Sequence, residues 1–501
     1  MLSKSAAFSL PFLQKALLSK TMRSKVIAKF EKQIFDRYKK SDLPCLPDRV
    51  RQDKIDMARA LLASANRALD RNLVSPKVLH RLLETFLCNV LLGQDEGSRA
   101  ETIVNFSKRH AGKLPPSVIV ISPTKGCNLY CVGCYANSGP EREHLPWDIF
   151  NRIISEAIDL WGLHFITISG GEPLTYRSQG KDLIDAARNH SDCFFMMYTN
   201  GTLIDKTVVE RLADTGNLIP AISLEGFEAR TDERRGRGVF QRVLSAMSLL
   251  RNAGVPFGIS LTATRHNAFE ILSDDFINFC FDQQQASFGW LFQYMPIGRC
   301  STLDLQVTPE QRLWMWQRTW QIIRERHIML ADFWNCGTVA DGCIAAGQSR
   351  GGGYLYIDWN GKIMPCAFVP YAAGNIHDIY RCGGTLDDVY ELPYLQAIRQ
   401  WQWDYALGKE QPEKCGNLLL PCSLRDNYAT GRELIDKYHP EPEDEAAAEA
   451  LADDTYYHGM VAYDEELRRV FDPVWEEEYV HNTPKRSLVS QPQDHCAGVA
   501  L

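Results

Sequence analysis

Cys127, Cys131 and Cys134 form the tightest group of cysteines in the chain. They follow the pattern C-x3-C-x2-C within one short loop. Thiolates at this spacing bind a soft metal ion or an iron–sulfur cluster. A tetrahedral zinc site or a fully ligated cluster needs a fourth protein ligand, and none lies nearby in the sequence. Three ligands on a four-iron cluster would leave one iron open to bind another molecule.

A second group of cysteines lies further along the chain. Its members are Cys336, Cys343, Cys366, Cys382, Cys415 and Cys422. Cys366 directly follows a predicted tight hairpin, in which strands Tyr354–Ile357 and Lys362–Met364 flank a turn at Asn360 and Gly361. Six of the 15 cysteines fall in this stretch, which favours a second cluster site. The alternative is a set of ordinary buried thiols, which are common in protein cores.

From residue 117 onward, short apolar strands alternate with helical patterns. The predicted strands are Val118–Ser122, Phe165–Ser169, Phe194–Tyr198, Leu218–Ser223, Phe257–Thr262 and Phe288–Gln293. The predicted helices are Pro146–Trp161, Gly180–Asn189, Lys206–Thr215, Phe240–Ala253 and Ala268–Gln284. This alternation predicts a parallel sheet, either open or closed into a barrel. Chemistry in such folds is located at the carboxyl ends of the strands.

Glycines and small polar residues follow successive predicted strands. The cysteine loop follows the first strand, and Gly170-Gly171-Glu172-Pro173 follows the second. Adjacent glycines let the backbone approach a ligand closely. The third and fourth strands are followed by Thr199, Asn200, Ser223 and Glu225. Each segment alone is a common turn, but together they predict a ring of polar groups around one cavity.

The cysteine loop, the Gly-Gly-Glu-Pro segment and the order of strands and helices resemble the radical SAM (S-adenosylmethionine) superfamily. The resemblance covers roughly residues 115–300. It implies an α/β fold, a partial (β/α)6 radical SAM barrel with a helical N-terminal subdomain and a small cysteine-rich β-hairpin C-terminal extension. A zinc knuckle is the alternative interpretation of the three cysteines.

The resemblance also implies roles for the residues at the strand ends. Cys127, Cys131 and Cys134 would hold a [4Fe–4S] cluster, whose open iron would chelate the amino and carboxylate groups of SAM. The other implied contacts are Gly170, Gly171, Glu172 and Pro173 at the methionine amino group, the backbone near Tyr135 at adenine, and Thr199, Asn200, Ser223 and Glu225 at the ribose or carboxylate. The chain departs from the family pattern at Gly133, where an aromatic residue is often found.

The second cysteine group resembles the SPASM/twitch auxiliary-cluster extension of radical SAM enzymes. The resemblance rests on Gly361-x4-Cys366, with Cys343 upstream and Cys422 downstream. The dense cysteine run of a full SPASM domain is missing, so one auxiliary [4Fe–4S] cluster is implied rather than two. Its implied ligands are Cys343, Cys366 and Cys422, with Cys415 as the candidate fourth. Without Cys415, the open iron could bind substrate.

The implied function is that of a radical SAM oxidoreductase or maturase. One electron, from a reductant such as flavodoxin or ferredoxin, would enter the cluster. SAM would then be cleaved to a 5′-deoxyadenosyl radical that abstracts hydrogen from the substrate. We expect a peptide or protein substrate, with a lipid or small-molecule metabolite as the alternative. A non-catalytic iron–sulfur or zinc-binding structural protein is the alternative of another class, and the Gly-Gly-Glu-Pro segment argues against it.

Composition narrows the remaining classes of protein. The 501 residues, 45% apolar and 23% charged, predict two or three globular domains and exclude a wholly disordered chain. A net charge of -7 without a global basic field argues against nucleic acid as the partner. An odd number of cysteines without a recognisable secretory signal predicts a cytoplasmic protein.

We expect four regions along the chain. They are a helical region at 1–114, the barrel at 115–330, the auxiliary cluster region at 331–440 and an acidic, partly disordered tail at 441–501. Residues 1–40 are predicted to form a basic amphipathic arm that Pro11 interrupts early. The arm could pack on the core, contact an anionic membrane surface peripherally, or serve as an organellar transit segment. The tail is predicted to be a solvated linker, then a helix, then disorder after Pro484.

Overall fold

Eight parallel strands form most of one large sheet in the computed structural model, which describes residues 5–39, 45–92 and 98–482. The strands are β1 Val118–Ile121, β2 Phe165–Ile168, β3 Phe194–Thr199, β4 Leu218–Leu224, β5 Gly258–Ala263, β6 Phe288–Gln293, β7 Leu330–Asp332, β8 Tyr354–Ile357, β9 Lys362–Met364, β10 Tyr371–Ala372, β11 Gly374–Asn375 and β12 Glu441–Pro442. The order in the large sheet is β11-β9-β8-β1-β2-β3-β4-β5-β6-β7, and β10 pairs separately with β12. The predicted α/β barrel architecture is confirmed.

The sheet extends beyond the six predicted strands at both edges. At one edge β7 pairs in parallel with β6, and at the other β8 pairs in parallel with β1. Val118 lies opposite Tyr354, and Ile121 lies opposite Ile357. The predicted hairpin is present, because β9 runs antiparallel to β8. The cysteine-rich extension is therefore part of the same sheet as the barrel.

Helices cover the outside of the sheet and build both ends of the chain. They are α1 Ser5–Leu18, α2 Lys20–Lys39, α3 Asp48–Asp70, α4 Pro76–Leu82, α5 Ser98–Arg109, α6 Trp147–Trp161, α7 Leu183–Asn189, α8 Lys206–Thr215, α9 Glu228–Arg235, α10 Val239–Ala253, α11 Ala268–Ile271, α12 Asp274–Asn278, α13 Pro309–Glu325, α14 Ile376–Arg381, α15 Leu386–Tyr390, α16 Pro393–Gln402, α17 Tyr428–Tyr438, α18 Glu445–Ala452 and α19 Asp454–Val474. Wider π-helical turns occupy Leu83–Leu92, Phe279–Gln283, Trp403–Leu407 and Trp475–Val480.

Local signals explain where the barrel helices begin and end. Helix α6 buries Phe150, Ile153 and Trp161 on one face and ends at Gly162, which adopts a φ of 63°. The prediction of one continuous helix over Ala268–Gln284 was wrong. The Ser273 hydroxyl accepts a hydrogen bond from the Phe276 amide, and this N-cap starts α12 as a separate helix.

The amino-terminal arm is helical and packs on the rest of the chain. Leu10 and Leu17 of α1 are buried against Leu79 and Leu83. Arg23 of α2 is also buried and donates hydrogen bonds to Asn66 and Asp70 of α3. Pro11 does not interrupt the arm as predicted, because α1 continues through it to Leu18.

Membrane contact by residues 1–40 stays a prediction. Among the described residues, none of the helices combines the length and the apolar character that a transmembrane span requires. Phe12, Leu18 and Met22 are exposed by 65%, 50% and 41%, and such side chains on a basic helix can insert at a membrane surface. Residues 1–4 and 40 of the predicted arm lie outside the described residues.

The acidic tail begins with helix α18 where a solvated linker was predicted, and the helix predicted to follow that linker is α19, which packs on the core. Its long helix α19 buries Tyr463, Leu467 and Phe471 in an apolar cluster that also contains Trp320 of α13. The Tyr479 hydroxyl donates a hydrogen bond of 2.8 Å to a carboxylate oxygen of Asp53 in α3. The apolar side chains at helical spacing therefore pack this segment on the core, although the segment is acidic. The disorder predicted after Pro484 falls outside the described residues.

Two neighbouring leucines of α1 test the packing of the arm. Leu17 is 9% exposed, whereas Leu18 is 50% exposed. We expect Leu17→Ala to lower the free energy of unfolding by about 2 kcal/mol, because it leaves a cavity beside Leu79. We expect Leu18→Ala to change it by less than about 0.5 kcal/mol. Urea titrations followed by circular dichroism measure both, and equal effects of the two variants would contradict the packing.

Candidate active site

A cavity of about 270 Å³ runs through the barrel interior to the cysteine loop. Inward side chains of the strands line it, Val120 of β1 and Thr262 of β5 among them. Several predicted site residues share this lining, namely Cys127, Cys131, Cys134, Tyr135, Gly170, Gly171, Thr199, Asn200 and Ser223. The lining does not include Glu172, Pro173 or Glu225. The structure thus brings most of the predicted ring together around one space.

The Gly-Gly-Glu-Pro segment holds the backbone of the cysteine loop. The Gly171 amide donates to the Thr124 carbonyl and the Glu172 amide donates to the Gly126 carbonyl, both at 2.9 Å. A Cβ atom on Gly171 would lie 2.2 Å from the Gly126 carbonyl oxygen. At Gly170, which has a φ of 109°, a Cβ atom would lie 2.7 Å from the Thr124 carbonyl oxygen. Both glycines are therefore required for the close approach of two loops.

Glu172 is fully buried and serves the loop structure instead of lining the cavity. Its carboxylate accepts hydrogen bonds from the Asn200 amide at 2.7 Å and the Thr199 hydroxyl at 2.8 Å. It also accepts one from the Leu174 amide at 3.2 Å. Burial raises the pKa of Glu172, and these donors act in the opposite direction. The carboxylate thereby joins the loops that follow β2 and β3.

Glu225 likewise faces protein groups instead of the cavity. It is 1% exposed and forms ion pairs with Arg234, at 2.8 Å, and with Arg235. Both arginines line the cavity near the cysteines. Glu225 was predicted as a site residue, whereas the two arginines were not, although they are consecutive residues in the last turn of the charged helix α9.

Two arginines hold the carbonyl groups of the cysteine loop. The Arg234 guanidinium donates to the carbonyls of Val132 and Gly133, at 3.1 and 3.2 Å. Arg299 donates to the Cys131 carbonyl at 3.0 Å and lies over the Tyr130 ring, 3.3 Å from its centroid. No spacing in the sequence pointed to Arg299, because it reaches the loop from the segment after β6.

Asn200 lies directly behind the first cysteine. Its side-chain amide donates to the Asn128 side chain at 2.9 Å and lies 3.8 Å from the Cys127 sulfur. The Leu129 amide also donates to that sulfur, at 3.4 Å. Burial raises the pKa of Cys127 to about 12, with the charges of Glu172 and of the other two cysteines adding to the effect. A bound cation would reverse this shift by stabilising the thiolate.

In neither predicted cysteine set do the three sulfur atoms lie as close together as the ligands of one zinc ion. Sulfur ligands of a tetrahedral zinc lie about 3.8 Å apart, given Zn–S bonds of about 2.3 Å. Within residues 5–39, 45–92 and 98–482, three ligand atoms gather within 4.8 Å of one another only at His164, Asp192 and Cys193. Neither predicted cysteine set is that tight, whereas each thiolate of a four-iron cluster binds a different iron.

Three cysteines of the second group come together, and Cys415 does not join them. Burial raises the pKa values of Cys343, Cys366 and Cys422 to about 12, and the charge of another member of the set raises each of them further. The Tyr354 hydroxyl donates to the Cys366 sulfur at 2.7 Å. Cys415 is buried in a different apolar cluster together with Cys45, behind the extension.

Aromatic rings fill the space between the two cysteine groups. Phe368, two residues after Cys366, packs against Tyr135 with 5.6 Å between ring centroids and against Phe292 at 5.7 Å. All three line the cavity, as do Ile344 and Ala367, the neighbours of Cys343 and Cys366. The cavity therefore extends from one cysteine group to the backbone of the other.

The glycine at position 133 has a steric explanation. Its φ is 65°, and a Cβ atom would lie 2.7 Å from the ring of Tyr294. Tyr294 follows β6, lines the cavity and donates from its hydroxyl to the Cys300 carbonyl at 2.7 Å. An aromatic ring is thus present at this position of the cavity, but it comes from another segment of the chain.

Comparison with known proteins agrees with this site. The model of the radical SAM superfamily matches residues 121–270. The chain is 28% identical to an AdoMet-dependent heme synthase of Methanosarcina barkeri over 289 residues, which are 52% of this chain and 80% of the relative. It is 30% identical to the mycofactocin maturase MftC of Mycolicibacterium smegmatis over 277 residues, 53% of this chain and 66% of the relative.

A solved structure shares the fold. The structure of SuiB from Streptococcus suis bound to precursor peptide SuiA aligns with a TM-score of 0.51 and 21% identity, over 70% of this chain and 79% of SuiB. Radical SAM enzymes use a [4Fe–4S] cluster and SAM, and the cysteine loop has the donors that such a cluster needs. By its motifs, its sheet and the superfamily model that matches residues 121–270, the chain is an enzyme of the radical SAM superfamily.

Proposed function

We propose that this enzyme modifies a peptide or protein by acting on one side chain placed in the barrel cavity. The lining of the cavity carries the proposal. The cavity inside the barrel reaches from the cysteine loop to the segments beside Cys343 and Cys366, and most of the side chains around it are apolar or aromatic. One side chain of a larger substrate could enter this space while the rest of the substrate stays outside the barrel.

The lining of the cavity supports a side chain of apolar or aromatic character. The rings of Tyr198, Phe292 and Phe368 face the cavity, while the arginines lie on the side of the cysteine loop. Rings pack well against apolar and aromatic groups. The similarity to MftC, which is named a mycofactocin maturase, agrees with a peptide substrate.

A small molecule is the second candidate substrate. It is favoured by the heme synthase of Methanosarcina barkeri, of which the chain covers 80%. A tetrapyrrole is a much wider group than a single amino-acid side chain. The residues between the two cysteine groups would have to separate to admit it, and the aromatic contacts of Phe368 oppose that separation.

Cys127, Cys131 and Cys134 are the proposed ligands of the [4Fe–4S] cluster that binds SAM. When bound, the cluster and SAM supply a 5′-deoxyadenosyl radical that removes hydrogen from the substrate. The residues of the chain position these groups and exclude water. Gly170 and Gly171 face the cavity beside the cluster loop, and Ser223 and Asn200 offer polar contacts to SAM. The ring of Tyr294 lies beside Gly133, which has no side chain, and would stack against the adenine of SAM.

Cys343, Cys366 and Cys422 are the proposed ligands of an auxiliary [4Fe–4S] cluster. Cys415 is left out because it packs with Cys45 elsewhere. Three thiolates leave one iron without a cysteine, and a reductant such as flavodoxin or ferredoxin would supply electrons to the enzyme.

Cleavage of SAM tests the activity directly. Protein reconstituted anaerobically with iron and sulfide should form 5′-deoxyadenosine from SAM and dithionite. Cys131→Ala should abolish the product, because two thiolates are too few to hold the cluster. Unchanged product in Cys131→Ala would contradict the ligand assignment. Stimulation by a peptide encoded beside this gene, with a mass change in that peptide, supports the substrate class, whereas conversion of iron coproporphyrin III overturns it.

Iron content tests the two ligand sets separately. Wild-type protein should bind about two four-iron clusters. Replacing Cys127, Cys131 and Cys134 with Ala should leave one cluster, visible by electron paramagnetic resonance after reduction. Replacing Cys343, Cys366 and Cys422 with Ala should leave only the cluster bound by the cysteine loop. Cys415→Ala is the matched control and should keep the full iron content, so loss of a cluster in it would restore Cys415 to the ligand set.

The contact between Gly133 and Tyr294 tests the position of the ring. Gly133→Ala places a Cβ atom 2.7 Å from Tyr294 at a φ of 65°, so we expect weaker cluster retention and a higher KM for SAM. Strain from the left-handed backbone alone costs about 1–2 kcal/mol. Adding Tyr294→Ala should restore iron content by relieving the clash, while the KM for SAM stays high. Independent, additive effects on iron content would contradict the contact.

A further inference from the structure

Arg425 is a fully buried arginine without an ion pair among the described residues. Its side chain is 0% exposed, and it donates to the Gln293 side chain and, at 3.2 Å, to the Tyr463 hydroxyl. Both acceptors are neutral and bond to the same terminal nitrogen. The other two guanidinium nitrogens, Nε and Nη1, are buried without any hydrogen-bond partner. Charged side chains are seldom buried in this way unless something pairs with them.

A neighbouring arginine shows what complete pairing looks like in the same region. Arg312 is equally buried and forms an ion pair with Asp426. It also donates to Asn335 at 3.1 Å and to the Leu419 carbonyl at 2.9 Å. All its nitrogens are therefore used. Arg49, Arg99 and Arg299 each leave one buried nitrogen without a hydrogen-bond partner, whereas Arg425 leaves two.

The turn that carries Arg425 also carries Cys422. The Asp426 amide donates to the Cys422 carbonyl at 3.1 Å, and the Cys422 amide donates back to the Asp426 carboxylate at 3.1 Å. Arg425 lies under the ring of Trp334, 4.8 Å from its centroid. Trp334 belongs to the same apolar cluster as Cys422 and Phe368. The guanidinium therefore lies beside the second cysteine group.

We propose that Arg425 is the counter-charge of the auxiliary cluster, with its two unpartnered N–H groups directed to the cluster's sulfur atoms. The proposal rests on the proposed function, which places a cluster on Cys343, Cys366 and Cys422. A four-iron cluster on three thiolates is negatively charged, and reduction adds one more negative charge. A nearby cation and hydrogen bonds to sulfur both favour the reduced form. Arg425 is thus a positioning residue that raises the cluster's reduction potential.

The reduction potential of the cluster tests the proposal. The measurement uses the full chain with Cys127, Cys131 and Cys134 replaced by Ala, so that only the auxiliary cluster remains, and follows its reduction by electron paramagnetic resonance. We expect Arg425→Met to lower the ratio of reduced to oxidised cluster at least tenfold at a fixed potential, a shift of about 59 mV for one electron. Arg425→Lys should retain most of the wild-type value, because it keeps the charge.

A matched control separates this effect from a general loss of charge. Arg432 of α17 pairs with Asp436 at 2.9 Å and has no unpartnered buried nitrogen. Arg432→Met should leave the potential unchanged. An unchanged potential in Arg425→Met with the cluster bound would overturn the proposal and leave the cluster assignment intact. Full iron content after replacement of Cys343, Cys366 and Cys422 would instead overturn the cluster assignment itself.

Stability of the iron-free and loaded protein gives a second, independent readout. Without iron, Arg425→Met should raise the melting temperature, because it removes a buried charge without a partner. With the cluster bound, Arg425→Met should lower the melting temperature. Where Arg425→Met fails to fold, Arg425→Gln makes the same test, since it removes the charge and keeps a donor that can reach the Gln293 side chain. Arg425→Gln should stabilise the iron-free protein and lower the cluster potential, and no change in either would overturn the proposal.

Discussion

The close contact between two loop backbones is the constraint on which the site depends. Gly170 and Gly171 lie so near Thr124 and Gly126 that no side chain fits between them. This contact fixes the start of the cysteine loop relative to β2. Glu172 then fixes β2 relative to the loop after β3, through buried hydrogen bonds that would be costly to lose. Loop geometry in the site is therefore set by close backbone contacts together with the buried Glu172 carboxylate.

Much of the fold followed from the sequence because the barrel signals are local. Each predicted strand is a short apolar run between turns, and the bounds of β6 and α8 agree with those predicted. The cysteine loop and the Gly-Gly-Glu-Pro segment are contiguous, so their positions could be inferred from the strand order alone. The three cysteines of the extension also came together as expected, because Cys343 and Cys366 flank a hairpin that is itself a local structure.

The rest depended on contacts between distant segments, which a single sequence does not reveal. Arg299 reaches the cysteine loop from beyond β6, and its role is visible only through its hydrogen bond to Cys131. Glu225 was predicted to contact the cofactor, but its carboxylate forms ion pairs with two arginines of the next helix. Cys415 and Cys422 are close in sequence, but an intervening turn directs them to different apolar clusters. Strand β8 pairs with β1, which lies far earlier in the chain. The pattern of apolar residues in a strand does not indicate which other strand it pairs with.

The pairing of β8 with β1 also governs how the chain can fold during synthesis. Strand β1 leaves the ribosome early, but its second neighbour begins only at Tyr354. At about 5–20 residues per second, one edge of β1 stays unpaired for roughly 10–50 s. An open strand edge of this kind is a template for pairing with other chains. The nascent protein thus carries a completed cysteine loop beside an unprotected sheet edge, and only translation of the cysteine-rich extension removes that exposure.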